Sequence, residues 1–317
     1  MKRISLLGVC LMLVVTSKAQ KIEKVTFGDF EQWAVRYIKD SRLLGGKTHA
    51  LYAIAPTDTI RENAVFVYGK NGNPWSVSNA YAVVAGIEKG SGTVSPEYRD
   101  AEHGYCCRMD SKLETVTAFG VIDIKVLVAG TIFTGKTIEP IRTAKDPYQN
   151  IDFGVPFTKC PTAMVLDYKA LISQENTLTY AKGMGRPKTI EGHDQGQLFC
   201  LLQKRWEDSE GNIHALRVGT AYERLTKSQP VWQNDHEIPF CYGDITKQPY
   251  FKSYMGLAST MRAINSKGKI VPIIEEGWAP KGTKPTHMII NLTSGCHEAF
   301  VGHEGNTVWV DNIRLKY

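Results

Sequence analysis

The chain consists mainly of short apolar runs, rich in β-branched and aromatic residues, that Gly, Asn and Pro separate. The clearest runs are NAVFVYG, AYAVVAG, VTAFGVIDIKVLVAG, TAMVLDYKA, GQLFCLLQKRW, IHALRVGTAY, HMIINLTS and NTVWVDNIRLKY. Such runs, bounded by turn residues, are typical of β-strands in an antiparallel sandwich. We therefore predict an all-β protein in which residues 20–317 form a single antiparallel β-sandwich of the jelly-roll type.

Two segments add detail to this pattern. The stretch YFKSYMGLASTMRAINSKG has a spacing that also suits a helix, so we allow one or two short helices, the first near residues 254–265. DSEGN, at residues 208–212, is a turn signal between two strand-like runs. It predicts a hairpin that joins residues 198–206 to residues 214–222.

The last run places a carboxylate where the alternation expects an apolar residue. Counting back from Tyr317 in steps of two puts Leu315, Ile313, Asp311 and Trp309 on one face of a strand. A buried carboxylate without a partner is costly or becomes protonated. The pattern therefore predicts a specific partner for Asp311.

Glu31, in GDFEQW, is the candidate partner, because strands from the two ends of a jelly roll commonly lie side by side. Two carboxylates with backbone carbonyls form an oxygen site suited to Ca²⁺. We predict a structural calcium site at Glu31 and Asp311. The alternative is that Asp311 accepts backbone N–H groups or that a bulge turns it outward.

The first residues have the pattern of a secretory signal peptide. Lys2 and Arg3 precede an apolar run over residues 4–15, and Ser17 and Ala19 have the spacing of a cleavage site. We predict a signal peptide over residues 1–19 and an exported protein that is periplasmic, on the cell surface or secreted. A lipoprotein anchored at Cys10 is a less favoured alternative. No run reaches the roughly 20 apolar residues of a membrane-spanning helix.

The charge of the chain argues against two classes of partner. The formal charge of +6 includes Lys2, Arg3 and Lys18, so removal of residues 1–19 leaves +3. The chain contains no block of five or more like charges. We therefore expect neither a nucleic-acid surface nor a polybasic membrane patch.

The spacing and the sequence context of the cysteines favour buried free thiols over a set of disulfide bonds. Six remain after removal of residues 1–19, at wide spacings and partly within apolar runs such as LFCLLQ. Adjacent Cys106 and Cys107 would face opposite sides of a strand. We favour small buried side chains and leave one bridge open. No Cys-x-x-Cys or His-Glu-x-x-His pattern indicates zinc.

GTIFTGKT, at residues 130–137, matches the phosphate-loop pattern but lacks its context. A phosphate loop leads into a helix whose N-terminus faces the phosphates, whereas here Pro140 follows closely and no helical period begins. We predict a strand at this position and no nucleotide.

Acidic residues offer only weak evidence for hydrolysis. A glycosidase needs two carboxylates about 5–9.5 Å apart. Glu275 and Glu276 are adjacent and would face opposite ways on a strand, which predicts one exposed and one structural acid. Asp194, Glu223 and Glu97 are conceivable partners, but nothing in the sequence brings them together.

Several motifs resemble those of known families. GDFEQW, EHGYCCRM and VWVDNIRLKY resemble signatures of galactose-binding-like jelly rolls that serve as carbohydrate-binding modules. NPWSVSNA, AGTIFTGKT, GVPFTKCPTAMVLDYKA and AFVGHEGNTVWVDNIRLKY together resemble the putative carbohydrate metabolism domain family of exported proteins from Bacteroides-like bacteria. The resemblance covers nearly all of the mature chain, and it implies a jelly roll, export and a glycan-related role. The chain departs from the family pattern at Lys159, with Cys160 in place of arginine, and the tyrosine pair of the family is reduced to Tyr168.

Sugar rings stack on exposed aromatic faces while amides and acids bind their hydroxyls. Trp75, with Asn79 nearby, follows a turn signal, and Trp232 and Trp278 lie in polar segments. We predict that these four residues bind carbohydrate. Trp33, Trp206 and Trp309 lie in apolar segments and are predicted core residues.

The resulting hypothesis is an exported protein that binds a poly- or oligosaccharide without catalysis. A glycoside hydrolase with a carboxylate pair is the alternative. A structural or adhesive surface protein, with protein partners at the cell surface, is the second alternative.

Overall fold

A computed structural model describes residues 20–84, 86–118, 122–143 and 146–317. The predicted signal peptide and its cleavage site lie outside these residues. The described residues form 27 β-strands and two single 3-10 turns, Arg42–Leu44 and Ser253–Met255. The all-β prediction is therefore confirmed. No helix in the described part of the chain is long and apolar enough to span a membrane.

The first nine strands are β1 Ile22–Lys24, β2 Trp33–Lys39, β3 Thr48–Ile54, β4 Asp58–Ile60, β5 Trp75–Val77, β6 Ala80–Val84, β7 Ile87–Ser91, β8 Val94–Asp100 and β9 Gly104–Asp110. The next nine are β10 Lys112–Ala118, β11 Ile122–Val128, β12 Thr131–Thr137, β13 Ile151–Phe153, β14 Val155–Pro156, β15 Ala163–Leu171, β16 Thr177–Tyr180, β17 Lys182–Met184 and β18 Lys188–Glu191. The last nine are β19 Gly196–Glu207, β20 Ile213–Leu225, β21 Gln229–Pro239, β22 Cys241–Tyr242, β23 Arg262–Ile264, β24 Ile270–Trp278, β25 His287–Thr293, β26 Val301–Gly302 and β27 Thr307–Lys316.

Two large sheets make up the sandwich. The six-stranded sheet has the order β21-β15-β27-β9-β8, with β1 paired to β27. The ten-stranded sheet has the order β13-β12-β25-β19-β20-β24-β23, and β5, β14 and β22 pair with its strands. Pairing is antiparallel except between β2 and β4 and between β20 and β24. The first and last strands lie side by side, as expected of a jelly roll.

The main core joins apolar residues of both sheets. Leu166, Val308 and Val310 of the six-stranded sheet belong to one buried cluster with Leu198 and Ile290 of the ten-stranded sheet. Successive residues of a strand face opposite ways. A second, smaller cluster therefore forms on the other face of the ten-stranded sheet, and it contains Phe133, Phe199, Leu201, Ile213 and Ile289.

The predicted hairpin is confirmed. β19 and β20 pair antiparallel over their whole length, and Asp208 closes the turn. Its Oδ1 accepts the backbone N–H groups of Glu210, Gly211 and Asn212 at 2.9 Å each. A short polar side chain that accepts several turn amides stabilises this reversal.

The short helix that the sequence allowed near residues 254–265 does not form. The segment holds the 3-10 turn Ser253–Met255, an irregular stretch and then β23, which pairs with β24. Glu275 Oε2 accepts the backbone N–H of Ala258 at 2.6 Å. This buried acceptor holds the irregular stretch against the sheet, so tertiary contacts override the local helical spacing.

GTIFTGKT forms a strand, as predicted. β12 pairs with β5, β13 and β25 in the ten-stranded sheet. Gly135 has a φ of 149°, and a Cβ there would lie 2.2 Å from the backbone oxygen of Asp152. Gly135 therefore allows two chain segments to pack closely at a point where any side chain would clash.

The six cysteines of the described residues are all free thiols. Cys106, Cys107 and Cys200 are buried, as the apolar context predicts, whereas Cys160 is exposed. Trp33 and Trp309 are core residues. Trp206 is not, because it is 41% exposed and stacks on His214 with ring centroids 5.5 Å apart.

Candidate functional site

A cleft of about 620 Å³ opens on the outer face of the ten-stranded sheet. Phe199, Tyr222 and Asn291 line it from the central strands β19, β20 and β25. Residues 253–261 and residues 296–301 contribute the facing walls. We call this cavity the outer cleft. Its position above the second apolar cluster gives it a rigid, partly apolar floor.

Aromatic rings dominate the interior of the outer cleft. Phe199 and Tyr222 stack with ring centroids 4.8 Å apart and planes inclined by 18°. Tyr254, from the 3-10 turn, lies 5.1 Å from Tyr222 between centroids. The guanidinium carbon of Arg224 lies 4.1 Å from the centroid of Tyr254. These groups form an amphipathic wall in which apolar faces alternate with polar tips.

Polar groups converge on the same wall. The hydroxyl of Tyr222 donates to Gln197 Oε1 at 2.5 Å. Burial raises the pKa of Tyr222 to about 12, so its phenol remains protonated near neutral pH. Arg224 Nη2 donates to the backbone oxygen of Cys296 at 3.4 Å, and its buried Nε has no hydrogen-bond partner. Arg224 lines the cleft and is half-buried, so its η nitrogens are the donors that this wall offers to a ligand.

Carboxylates are scarce at the outer cleft. Glu298 is the single acidic residue among the described residues that line it. Glu275 lies beneath the lining, where its Oε2 contacts Arg217 Nη2 at 2.5 Å with both side chains 1% exposed. Glu275 Oε1 also accepts Gln203 Nε2 at 2.6 Å. It is the structural acid of the predicted pair, and the exposed Glu276 instead contacts His214.

Three possible metal ligands meet at one end of the outer cleft. Single donor atoms of Asp194, Cys296 and His297 lie within 4.8 Å of one another. Asp194 is buried, and its oxygens accept the backbone N–H groups of Gln195, Cys296 and His303. These hydrogen bonds satisfy the buried carboxylate, so its burial does not require a bound cation. They also fasten the 296–301 wall to the start of β19.

A second groove, of about 730 Å³, lies beside β2. Its lining carries both signs of charge, among them Lys39, Arg61 and Glu88. Its aromatic residue, Tyr37, lies under the guanidinium of Arg61 at 5.1 Å from the ring centroid. The groove lacks the aromatic wall of the outer cleft.

Two of the predicted sugar-binding residues are structural. Trp75 is 0% exposed, packs on Phe30 and donates from Nε1 to the backbone oxygen of Thr26 at 2.8 Å. Asn79 is also buried, and its Oδ1 accepts the N–H groups of Thr93 and Val94. The prediction was wrong because polar neighbours suggested a loop, whereas residues 75–77 form β5 inside the sheet.

Trp232 and Trp278 are half-buried, and neither belongs to the residues that line the outer cleft. The guanidinium carbon of Arg99 lies 4.0 Å from the ring centroid of Trp232, and that of Arg217 lies 5.6 Å from the ring centroid of Trp278. Trp232 belongs to the six-stranded sheet, and Trp278 ends β24 in the ten-stranded sheet. The structure therefore does not bring the predicted aromatic residues together.

Asp311 points inward, as predicted, but its partner is an arginine. Arg99 Nη1 contacts Asp311 Oδ2 at 2.7 Å and Asp167 Oδ2 at 2.9 Å. Asp311 Oδ1 also accepts the backbone N–H of Asn312 at 2.7 Å, which agrees with the alternative prediction. Glu31 is exposed, and its Oε1 accepts the N–H of Tyr105. A calcium ion does not fit here, because the guanidinium occupies the position of a cation between the two aspartates.

The two aspartates share this arginine unequally. Burial alone would raise the pKa of Asp167, but the N–H of Asp235, Arg99 and Asn312 lower it. Burial raises the pKa of Asp311 to about 6, although Arg99 opposes the shift. Asp167 also contacts Arg314 at 3.3 Å, so it has the stronger positive surroundings.

Comparison with known families decides the relationship of the chain. The family described as "Putative carbohydrate metabolism domain" matches residues 52–316. The chain belongs to this family. It is also similar to the crystal structure of a putative glycoside hydrolase from Bacteroides thetaiotaomicron, with 17% identity and a TM-score of 0.46 over 89% of this chain and 71% of that one. No curated protein matches the chain. The family relationship supports a carbohydrate-related role for this protein.

Proposed function

We propose that this member of the putative carbohydrate metabolism domain family binds a saccharide in the outer cleft without cleaving it. The observation that carries the proposal is the convergence of Tyr222, Tyr254 and Arg224 on one wall. Aromatic faces bind the C–H surfaces of sugar rings, and planar donors bind their oxygens. Gln197 and Asn291 on the floor add amide donors and acceptors for hydroxyl groups.

The small number of carboxylates at the outer cleft favours binding over hydrolysis. Glycoside hydrolysis uses two carboxyl groups on either side of the scissile bond. Glu298 alone represents this residue type among the described lining residues. Glu275, a buried carboxylate beneath the lining, is held in an ion pair with Arg217 and accepts N–H groups of Gln203 and Ala258. An acid held in this way is poorly placed to exchange protons with a substrate.

The proposal includes export. The signal-peptide pattern of residues 1–19 motivates it, since an exported protein meets glycans at the cell surface or outside the cell. Protein partners at the cell surface fit the same location. Detection of a mature chain that begins at Gln20 in a periplasmic, surface or medium fraction tests this part.

A glycan array followed by calorimetry tests the site. Tyr254→Ala removes one aromatic wall and should weaken binding of the best oligosaccharide by about 1–3 kcal/mol, as loss of a central aromatic contact does. Tyr98→Ala is the matched control, because Tyr98 is 59% exposed on the six-stranded sheet. It should leave affinity unchanged.

Two outcomes would contradict the proposal. Equal affinity of wild type and Tyr254→Ala would move the saccharide elsewhere on the protein. Release of shorter sugars, abolished by Glu298→Gln, would establish the hydrolase alternative instead.

A further inference from the structure

We infer that the outer cleft selects an anionic saccharide, one whose sugar units carry a carboxylate or sulfate group. This inference rests on the proposed function, since it names the class of saccharide for the same cleft. It follows from the charges that the lining leaves without partners and from the position of Arg224.

The charges that line the outer cleft are unevenly compensated. The described lining contains the cations Lys182, Arg217 and Arg224 and one carboxylate, Glu298. Arg217 is neutralised by Glu275 beneath it. No described carboxylate lies within 4.0 Å of the charged groups of Lys182 or Arg224. Two positive charges therefore face the cleft against one exposed negative charge.

Arg224 is the better defined of these two cations. It lies opposite Gln197 across the β19–β20 pair, so a central strand fixes its backbone. The ring of Tyr254 supports its guanidinium plane at 4.1 Å. Its Nη2 donates to the Cys296 oxygen at 3.4 Å, its guanidinium lies close enough to the Tyr222 hydroxyl to oppose the rise that burial causes in the pKa of that group, and its buried Nε has no acceptor.

The 3.4 Å bond from Nη2 to the Cys296 oxygen is long, so the η nitrogens of the half-buried Arg224 keep N–H donors for a ligand. The fork of N–H groups on arginine matches the two oxygens of a carboxylate or sulfate group. Stacking on Tyr254 orders the fork before the ligand arrives, which reduces the entropy lost on binding. A neutral sugar hydroxyl offers one oxygen and no charge, so it uses this arrangement less well.

Chemically matched oligosaccharides provide the test. Oligogalacturonate is compared with its fully methyl-esterified form, and chondroitin sulfate oligosaccharides with desulfated ones, by calorimetry on the mature protein. We expect at least one charged member to bind about tenfold or more tightly than its partner of lower charge. The two pairs distinguish carboxylate from sulfate recognition.

Variants assign the preference to the cleft. Arg224→Gln should reduce the preference to less than about threefold while the weaker binding persists, because the aromatic wall remains. Lys182→Ala removes an exposed side chain from the edge strand β17, so it should fold normally and reduce the preference by about twofold to fivefold. Arg108→Gln, on the six-stranded sheet, is the control and should retain the full preference.

Each result has a definite meaning. Equal binding within both pairs, still dependent on Tyr254, would overturn the inference and leave the proposed function intact. Absence of binding to every saccharide would overturn both. A preference that survives both Arg224→Gln and Lys182→Ala would also overturn the inference, because the charge would then be recognised elsewhere.

Discussion

Each of the two large sheets carries an arginine over an aromatic ring, but the two arginines differ in their charged partners. On the six-stranded sheet, the guanidinium carbon of Arg99 lies 4.0 Å from the ring centroid of Trp232. On the ten-stranded sheet, that of Arg224 lies 4.1 Å from the ring centroid of Tyr254. Arg99 contacts Asp167 and Asp311, whereas Arg224 has one backbone oxygen at 3.4 Å.

The two arginines make similar contacts with aromatic rings, but only Arg99 is neutralised by carboxylates of the protein. Each of these arginines has a buried Nε without a hydrogen bond, but the Nε of Arg99 lies 3.9 Å from Asp100. The charge of Arg99 is satisfied within the fold, so its stacking stabilises the sheet. The charge of Arg224 faces a cleft and remains available to a ligand. Pairing, more than exposure, separates the structural arginine from the one that we propose as a binding residue.

The largest expected effect tests the structural side of this comparison. Arg99→Ala leaves Asp167 and Asp311 close together without their shared cation, and removal of one member of a buried ion pair costs about 3–5 kcal/mol. Arg224→Ala should cost less than about 1 kcal/mol, because no carboxylate depends on it. Urea unfolding of both variants measures the difference. Equal losses would show that Arg224 is also a structural residue.

The second prediction concerns the loss of stability at low pH. It involves His287 and Arg205, which both belong to the ten-stranded sheet. Burial, and then the nearby charge of Arg205, lower the pKa of His287 to about 4. The unfolded side chain has a pKa of about 6.5. Between these values the unfolded state binds the proton and the folded state does not, so stability falls as the pH is lowered from about 6.5 to about 4.

This contribution amounts to at most about 3 kcal/mol. His287→Gln removes it, so the variant should lose less stability than the wild type across this pH range in denaturant unfolding. His193→Gln, at an exposed position, is the control and should follow the wild type. Parallel pH profiles for wild type and His287→Gln would contradict the role of His287.

A smaller effect is expected at the wall of the outer cleft. The carboxylate of Asp194 accepts hydrogen bonds from three backbone N–H groups. In Asp194→Asn, an NH2 group replaces one carboxylate oxygen and faces at least one of these donors. Loss of such a bond at a buried site costs about 1–3 kcal/mol. Because residues 296–301 line the cleft, saccharide affinity should fall as well. Unchanged stability would mean that the wall is held by other contacts.

The smallest expected effect concerns calcium. Arg99 already occupies the place of a cation beside Asp311, so melting curves with excess EDTA and with added calcium should superimpose. A lower melting temperature in EDTA that calcium restores would show a cation site and would revise the assignment of Asp311. Asp311→Asn would then locate that site.

Sequence reasoning succeeded where the information is local. Alternation and turn chemistry predicted the β19–β20 hairpin, the strand at GTIFTGKT and the inward direction of Asp311. It failed where long-range packing decides. Trp75 has polar neighbours in sequence, but β5 pairs with β12 and buries its ring.

The outer cleft was missed for a related reason. Tyr222 and Arg224 lie two residues apart on one face of β20, which is a visible but common pattern. Tyr254 comes from a segment whose sequence was ambiguous between a short helix and irregular structure. Only the return of this segment over the sheet brings it within 5.1 Å of Tyr222. The partner of Asp311 was equally hidden, since Arg99 is 212 residues away along the chain.

A crystal structure with the best-binding oligosaccharide tests the central claim most directly. The account predicts sugar density in the outer cleft, with a ring or its substituents against Tyr254 and an oxygen within hydrogen-bond distance of Arg224. Density over Trp232 or Trp278, with an empty outer cleft, would contradict it and return the binding site to the aromatic residues first predicted from the sequence.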